Sequence, residues 1–450
     1  MTDTNKLTAL LEKALAGSPG TETELTALRD STSLTRFANS VIHQNVHEED
    51  VTVTARVAVG KRIGVVSTNR VDEKSLTDLM RHAAAIAKES PEVPDFPGFP
   101  KAERAPDVAA VSKATAEASP DLRAAGVAKA AKLAATAGLK VSGAYRTSDR
   151  SLAVVNTSGT RQHHDGTEAF LSVFAIADDG VSGSASAFAS GVEKIDPERL
   201  ARTAVEKCKA AARPADLPPG HIDVILEPRA IAEVLEWLTF TSFGAKQVQE
   251  GQSFMAGKAG EKLMGDRVTI YDDGYEKDGI PIPFDWEGVP KRRVTFIDKG
   301  VVKEPVYDTL TAVKDKTQST GHAAPAQFRS GPMPANVFVA GGDKTLEELI
   351  AGLSRGLLVT RFHYVNGLLD TRKALFTGMT RDGTFLVENG RIVKAVKNLR
   401  FTESMLRAFS NVDGVTRERE TEGGNWGGLG SVTTPSMLIR DFTFTGSTDF

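Results

Sequence analysis

The run VTVTARVAV, residues 51–59, constrains the chain more than any other stretch. Val51, Val53, Ala55, Val57 and Val59 alternate with Thr52, Thr54, Arg56 and Ala58, the two-residue period of a strand with one buried face. Such a strand is not stable alone, so a sheet with a covering layer must surround it. Gly60-Lys61-Arg62 reads as a tight turn into IGVVS, which makes a hairpin, and the preceding TRFANSVIHQNV is read as the neighbouring strand.

That reading bears on His43 and His47. On a helix the two would stack on one face and could share a zinc ion. Along a strand four residues span roughly 13 Å, too far for one ion, so they are read as polar residues near a sheet edge. The acids Glu48 to Asp50 are read as a solvated turn.

Helical spacing follows over 73–89, where Leu76, Leu79, Met80, Ala83 and Ile86 recur, and over the alanine-rich 121–137. Between them PEVPDFPGFP, residues 91–100, carries four prolines and is a linker or surface arm. From Lys140 to Ala189, KVSGAYR, LAVVNTSG, EAFLSVFAIA and SASAFAS predict an antiparallel sheet. The next helix opens with Asp196 as N-cap and Pro197 at its first position, and it carries Cys208 as a small buried hydrophobe.

RPADLPPGH then places three prolines and a glycine just before the apolar strand IDVILEP, the best domain boundary in the chain. The expectation is an α+β protein: an N-terminal antiparallel sheet with helices over 1–215, and a strand-rich C-terminal domain over 216–450 with helices near 228–243 and at TLEELIAGL, residues 345–353. At 450 residues two domains are the ordinary outcome.

Lysine plus arginine number 55 against 58 acids, a formal charge of -3. This gives no footprint for nucleic acid or for an anionic membrane. No stretch approaches about 18 consecutive apolar residues, so no membrane span is expected. A single cysteine rules out an internal disulfide framework and fits a reducing compartment, the cytoplasm.

Other motifs read as structure. RQHHDGTE, with His163, His164, Asp165 and Glu168, is read as a solvated hairpin loop, and Asp272, Asp273, Asp285 and Glu287 as turn-building acids beside Gly274 and Gly288. GGNWGGLG lacks the setting of a phosphate-binding loop. Gly-x-Ser-x-Gly does not occur in the form a nucleophile elbow needs.

Several separated stretches, taken together and in order, resemble the TldD/PmbA family, also described as modulators of DNA gyrase. They are RFANSVIHQN, RVAVGKRIGVVSTN, GQSFMAGKAGEKL, VTIYDDG, the Asp-x-Glu-Gly-Val of Asp285 to Val289, STGHA, GLLVTRF, VENGRI and PSMLIRDFTFTG. Active members are metalloproteases with His-Glu-x-x-x-His on a helix and a late cysteine as third metal ligand. With Ser253 aligned to the family's downstream serine, the motif positions fall on Glu236, Trp237 and Thr241. None matches, and no cysteine lies near Trp426.

A hydrolytic zinc needs three protein ligands, a bound water and a general base. The resemblance is therefore to the PmbA, or TldE, branch. It implies a metal-free subunit with no catalytic residue and no cofactor of its own, paired with a TldD-type partner that carries zinc. The heterodimer would enclose a cavity for extended or unfolded peptide, with His363, Asn366 and Trp426 as candidate peptide contacts. Two alternatives stay open. One is a homodimeric peptidase or amidase that recruits metal through residues such as His163, His164 or His363. The other is an interaction protein acting on gyrase or a toxin–antitoxin pair.

Overall fold

The computed structural model describes residues 4–328, 330–423 and 430–448. Its first sheet has six strands: β1 (Glu22–Ala38), β2 (Val41–Val59), β3 (Arg62–Thr68), β4 (Lys140–Asn156), β5 (Arg161–Ile176) and β6 (Ser182–Ala189). They run in the order β3-β2-β1-β4-β5-β6, each pair antiparallel.

The structure corrects two local expectations here. TRFANSVIHQNV, residues 35–46, is not one neighbouring strand: 35–38 end β1, which does pair with β2, whereas 41–46 open the same strand that holds 51–59. Asn39 and Ser40 turn between the two with φ of 51° and 64°, the positive values a two-residue hairpin turn requires. The acids 48–50 accordingly sit in mid-strand, where Glu49 meets Arg29 at 2.8 Å. RQHHDGTE likewise belongs to β5 and is no loop. His43 and His47 both lie in β2, as the strand reading required, and His47 Nδ1 is 3.0 Å from Ser33 Oγ.

Five helices lie with this sheet: α1 (Thr4–Leu15), α2 (Glu73–Glu89), α3 (Lys113–Ala116), α4 (Pro120–Thr136) and α5 (Pro197–Ala210). One apolar cluster joins Leu11 of α1 and Leu76, Met80 and Ala83 of α2 to Leu25, Val53, Ala55, Val57 and Val155 of the strands. At Gly64 an added Cβ would stand 2.0 Å from the Ala83 carbonyl oxygen, so only glycine lets α2 lie this close. A second cluster joins Val127 and Ala130 of α4 and Leu200, Ala204 and Cys208 of α5 to Phe37, Tyr145, Leu171 and Val173. Asp196 caps α5 by accepting from the Glu198 and Arg199 amides. The proline-rich 91–100 stretch runs along the surface and seats Phe96 and Phe99 against Ala58.

The second sheet is mixed and has eleven strands. These are β7 (Gly220–Leu226), β8 (Ile270–Asp272), β9 (Val294–Asp298), β10 (Val301–Val302), β11 (Asn336–Val339) and β12 (Arg355–Asp370). The remainder are β13 (Leu375–Glu388), β14 (Arg391–Ala395), β15 (Leu399–Ser404), β16 (Val412–Gly423) and β17 (Ser431–Ser447). Five of them close a ring, because β7 pairs β12, β12 pairs β13, β13 pairs β15, β15 pairs β17, and β17 returns to β7. Phe362, Phe376, Phe401 and Phe442, all fully buried, belong to its core. The helix α6 (Pro228–Thr241) packs on β12 and β17.

Strand alternation gives the first sheet a second face, and this face meets the second unit. Leu152 and Val154 pack on Phe284, and Gln162 Nε2 donates to the Gly288 carbonyl at 3.0 Å. Arg56 reaches Glu287 at 3.1 Å. The fold is thus α+β, with a seam between its two sheet units that α6 borders.

Candidate functional site

Helix α6 begins with Pro228 at its first position and sends Ile231, Val234, Leu235 and Leu238 into the core. Its two acids, Glu233 and Glu236, stand three residues apart and so share the opposite face. There they line a cavity of about 210 Å³ in the seam, together with Arg146, Phe170 and Phe188 of the first sheet and Arg229, Glu422 and Gly423 of the second unit.

The lining and the side chains bonded to it form a mesh of opposed charge. Arg361 bonds Asp382 at 2.6 Å and stands 3.7 Å from Glu233. Arg146 lies 3.6 Å from Glu168 and over the Phe170 ring, and its buried Nε has no partner. Ser186 donates to Glu422 at 2.7 Å. Burial pushes Glu233 up to about 8, assisted by Glu236 and Glu422 and opposed by Arg361 and Arg229. One carboxyl of the cavity therefore keeps its proton at neutrality.

The unfolded chain releases that proton near 4.5, whereas the folded chain holds it to about 8. This group accordingly makes the fold lose stability as pH rises between those values. Glu233→Gln is expected to shrink the stability difference between pH 5 and pH 8, read by urea denaturation; an unchanged difference refutes the assignment.

The three positions matched to the metal motif now have settled surroundings. Glu236 is buried at the cavity wall. Trp237 packs edge-on to Phe240, with ring centroids 6.4 Å apart. Thr241 is buried and donates its hydroxyl to the Trp237 carbonyl at 2.7 Å. One carboxylate, an indole and a hydroxyl committed to the helix backbone do not fit a zinc ligand set. Among the described residues no group of three or more His, Cys, Asp or Glu is placed to hold a metal ion.

Two of the proposed peptide contacts, His363 and Asn366, do not line this cavity. His363 is exposed on β12, where burial and the neighbouring Arg361 and Arg381 hold its pKa below the usual value. Asn366 pairs with Thr377 and accepts from the Leu368 amide at 2.8 Å. Trp426 lies outside the described residues.

His163 and His164 do not act together, since they alternate across β5. His164 bonds the Pro281 carbonyl at 3.0 Å and is pushed down to about 4 by burial. The acidic series builds backbone. Asp285 accepts from the amides of Glu287, Val289 and Ala323, and Asp272 from those of Ala335 and Asn336 and from His322. Sequence reasoning missed Arg146, Arg229, Glu233, Arg361 and Glu422. The available signal was the Glu233 and Glu236 pair in an otherwise apolar helix.

Comparison with known proteins agrees with this architecture. Family models describing PmbA/TldA metallopeptidases match at 24–87 (domain 1), 101–211 (central domain) and 219–446 (C-terminal domain). A metalloprotease of Methanothermobacter thermautotrophicus is 27% identical over 282 residues, 60% of this chain and 61% of that protein. The metalloprotease PmbA of Escherichia coli O157:H7 is 27% identical over 195 residues, 43% of this chain and 40% of that protein. The chain thus spans about two fifths to three fifths of these relatives' lengths. The crystal structure of TldE from Thermococcus kodakarensis has the same fold, with a TM-score of 0.87 at 21% identity over 98% of this chain and 99% of that one. A Thermotoga maritima protein described as a modulator of a DNA gyrase superposes with a TM-score of 0.83 at 22% identity, over 98% and 99% of the two chains. Because the C-terminal family model alone matches more than half of the sequence, and the other two cover most of what precedes it, the chain belongs to the TldD/PmbA metallopeptidase family.

Proposed function

We propose that this chain is the metal-free, PmbA/TldE-type subunit of a TldD/TldE-type metalloprotease. Its seam cavity forms one wall of a chamber that binds extended or unfolded peptide, and a TldD-type partner supplies the zinc and the hydrolysis. The observation that carries this reading is the setting of α6. The helix position that bears metal ligands in active relatives borders a charged cavity here, yet presents a carboxylate and a backbone-bound hydroxyl in place of the two imidazoles and an indole in place of the general-base carboxylate.

Two further features support it. Paired arginines and carboxylates suit the amides and charges of an extended chain. The outer edge of β2 from Val41 to Thr52 has no strand partner among the described residues, because β3 pairs only with Val53 to Val59. Such an edge can accept a peptide or partner strand. No helix among the described residues is long and apolar enough to cross a membrane, and action in the cytoplasm fits the lone, buried Cys208.

The test is zinc analysis of the chain alone and with a TldD-type partner, alongside cleavage of an unfolded peptide. The expected result is substoichiometric zinc and no cleavage by the lone chain, with both appearing in the mixture. Stoichiometric zinc on the lone chain would favour a self-sufficient homodimeric peptidase instead. A mixture no more active than the partner alone would leave an interaction protein.

A further inference from the structure

The helix-covered face of the first sheet changes character halfway along. Between the apolar cluster under α1 and α2 and the one under α4 and α5, the strands present Ser31 and Ser33 of β1, Asn45 and His47 of β2, and Thr147 and Asp149 of β4. These line a cavity of about 430 Å³ that also borders the start of α4.

Arg123, in the first turn of α4, lines the same cavity and is only 1% exposed. Its Nε donates to Thr35 Oγ1 at 3.1 Å, and its Nη1 to Thr147 Oγ1 at 3.2 Å and to the Ala118 carbonyl at 3.3 Å. Every one of these acceptors is neutral. Nη2, on this cavity-lining side chain, donates to no acceptor among the described residues and is not among the fully enclosed polar atoms.

A guanidinium this deeply buried ordinarily has a carboxylate beside it, because an unpaired charge out of water is costly. The nearby acids are engaged elsewhere. Asp149 is bound by Arg29 at 3.3 Å, and the exposed Glu117 stands 3.9 Å from Lys113. The positive end of the 17-residue α4, capped by Ser119, adds to the imbalance on the same side. Burial also draws the Arg123 pKa below its usual value, as expected of a cation without a matched anion.

We propose that this cavity binds a small polar molecule through an oxyanion, a carboxylate or a phosphate, with Arg123 Nη2 as principal donor and the Ser31 and Ser33 hydroxyls as its neighbours. It is a second site, on the opposite face of the sheet from the α6 cavity, and does not depend on the reading given to that cavity. The two share a strand, since Thr147 lines one and Arg146, its neighbour in β4, lines the other.

The test uses the full chain, with inorganic phosphate and succinate as probes and sodium chloride at matched ionic strength as control. Titration calorimetry should show saturable binding of at least one probe, and the thermal midpoint should rise with its concentration. Whichever probe binds more tightly identifies the class. Arg123→Met and Ser31→Phe should each weaken binding at least about tenfold, the loss of one charge-assisted hydrogen bond or of the space for the ligand. Ser31 makes no side-chain hydrogen bond among the described residues, so filling the cavity there decides the matter even if the Arg123 variant does not fold. Absence of saturable binding by either probe beyond chloride overturns the proposal, as does binding that persists in Ser31→Phe.

Discussion

Arg56→Met is expected to destabilise the protein by about 3–5 kcal/mol, the cost of removing one partner from a buried ionic group. Arg56 bonds Glu24, its cross-strand neighbour in β1, at 2.8 Å and Glu287 of the second unit at 3.1 Å. The Glu24 side chain is 1% exposed, and its Oε2 has no partner. Burial pushes Glu24 up to about 7 despite Arg56, and the nearby Glu287 adds to the effect. Two carboxylates share one cation, and removing it leaves both without compensation.

The loss should be larger at pH 8 than at pH 5. Without Arg56, which opposes the rise, Glu24 binds its proton still more tightly in the folded state than in the unfolded chain, so raising the pH favours unfolding more steeply in the variant. Urea midpoints at the two pH values measure this. Converting Glu24 and Glu287 to glutamine in the same variant should recover much of the loss. A single-variant cost below about 1 kcal/mol, the scale of a surface ion pair, would show that the seam does not rest on this triad.

The second large effect is expected inside the strand ring. Phe401 is fully buried, with its ring centroid 4.5 Å from that of Phe362 and 5.5 Å from that of Phe442. The backbone closes in on it too, since a Cβ at Gly378 would lie 2.8 Å from the Phe401 ring. A closed ring cannot collapse easily into a void, so Phe401→Ala should cost about 3–5 kcal/mol by chemical denaturation. Phe401→Leu should cost distinctly less, because most of the volume remains. Equal costs for the two would mean that ring stacking, not filled space, sets the stability.

These expectations show which parts of the molecule a sequence discloses. Where one face is apolar and the other wet, the pattern is plain: α2 occupies Glu73–Glu89 as its leucines and alanines predict, and Asp196 caps α5. Most of β1 is hidden because ETELTALRDSTSLTRFA is polar on both faces from Arg29 to Ser33, and the same polar belt disguises 48–50 as a turn and RQHHDGTE as a loop. Those residues satisfy one another across strands, through Arg29 with Glu49 and Arg150 with Glu168, and single-chain periodicity does not register such pairing. The mismatch at Glu236, Trp237 and Thr241 was readable one residue at a time. The cavity beside them was not, because Arg146 and Glu422 come from elements 276 positions apart.

The ring of the second unit also bears on biosynthesis. Its opening strand, β7, lies between β12 and β17, and β17 also carries β11, β15 and β16. During translation the growing chain must keep Val224, Ile225 and Leu226 from aggregating while some two hundred further residues emerge. This half of the polypeptide therefore matures only after its last long strand leaves the ribosome, and a truncation before Ser431 should yield an insoluble product, not a smaller folded one.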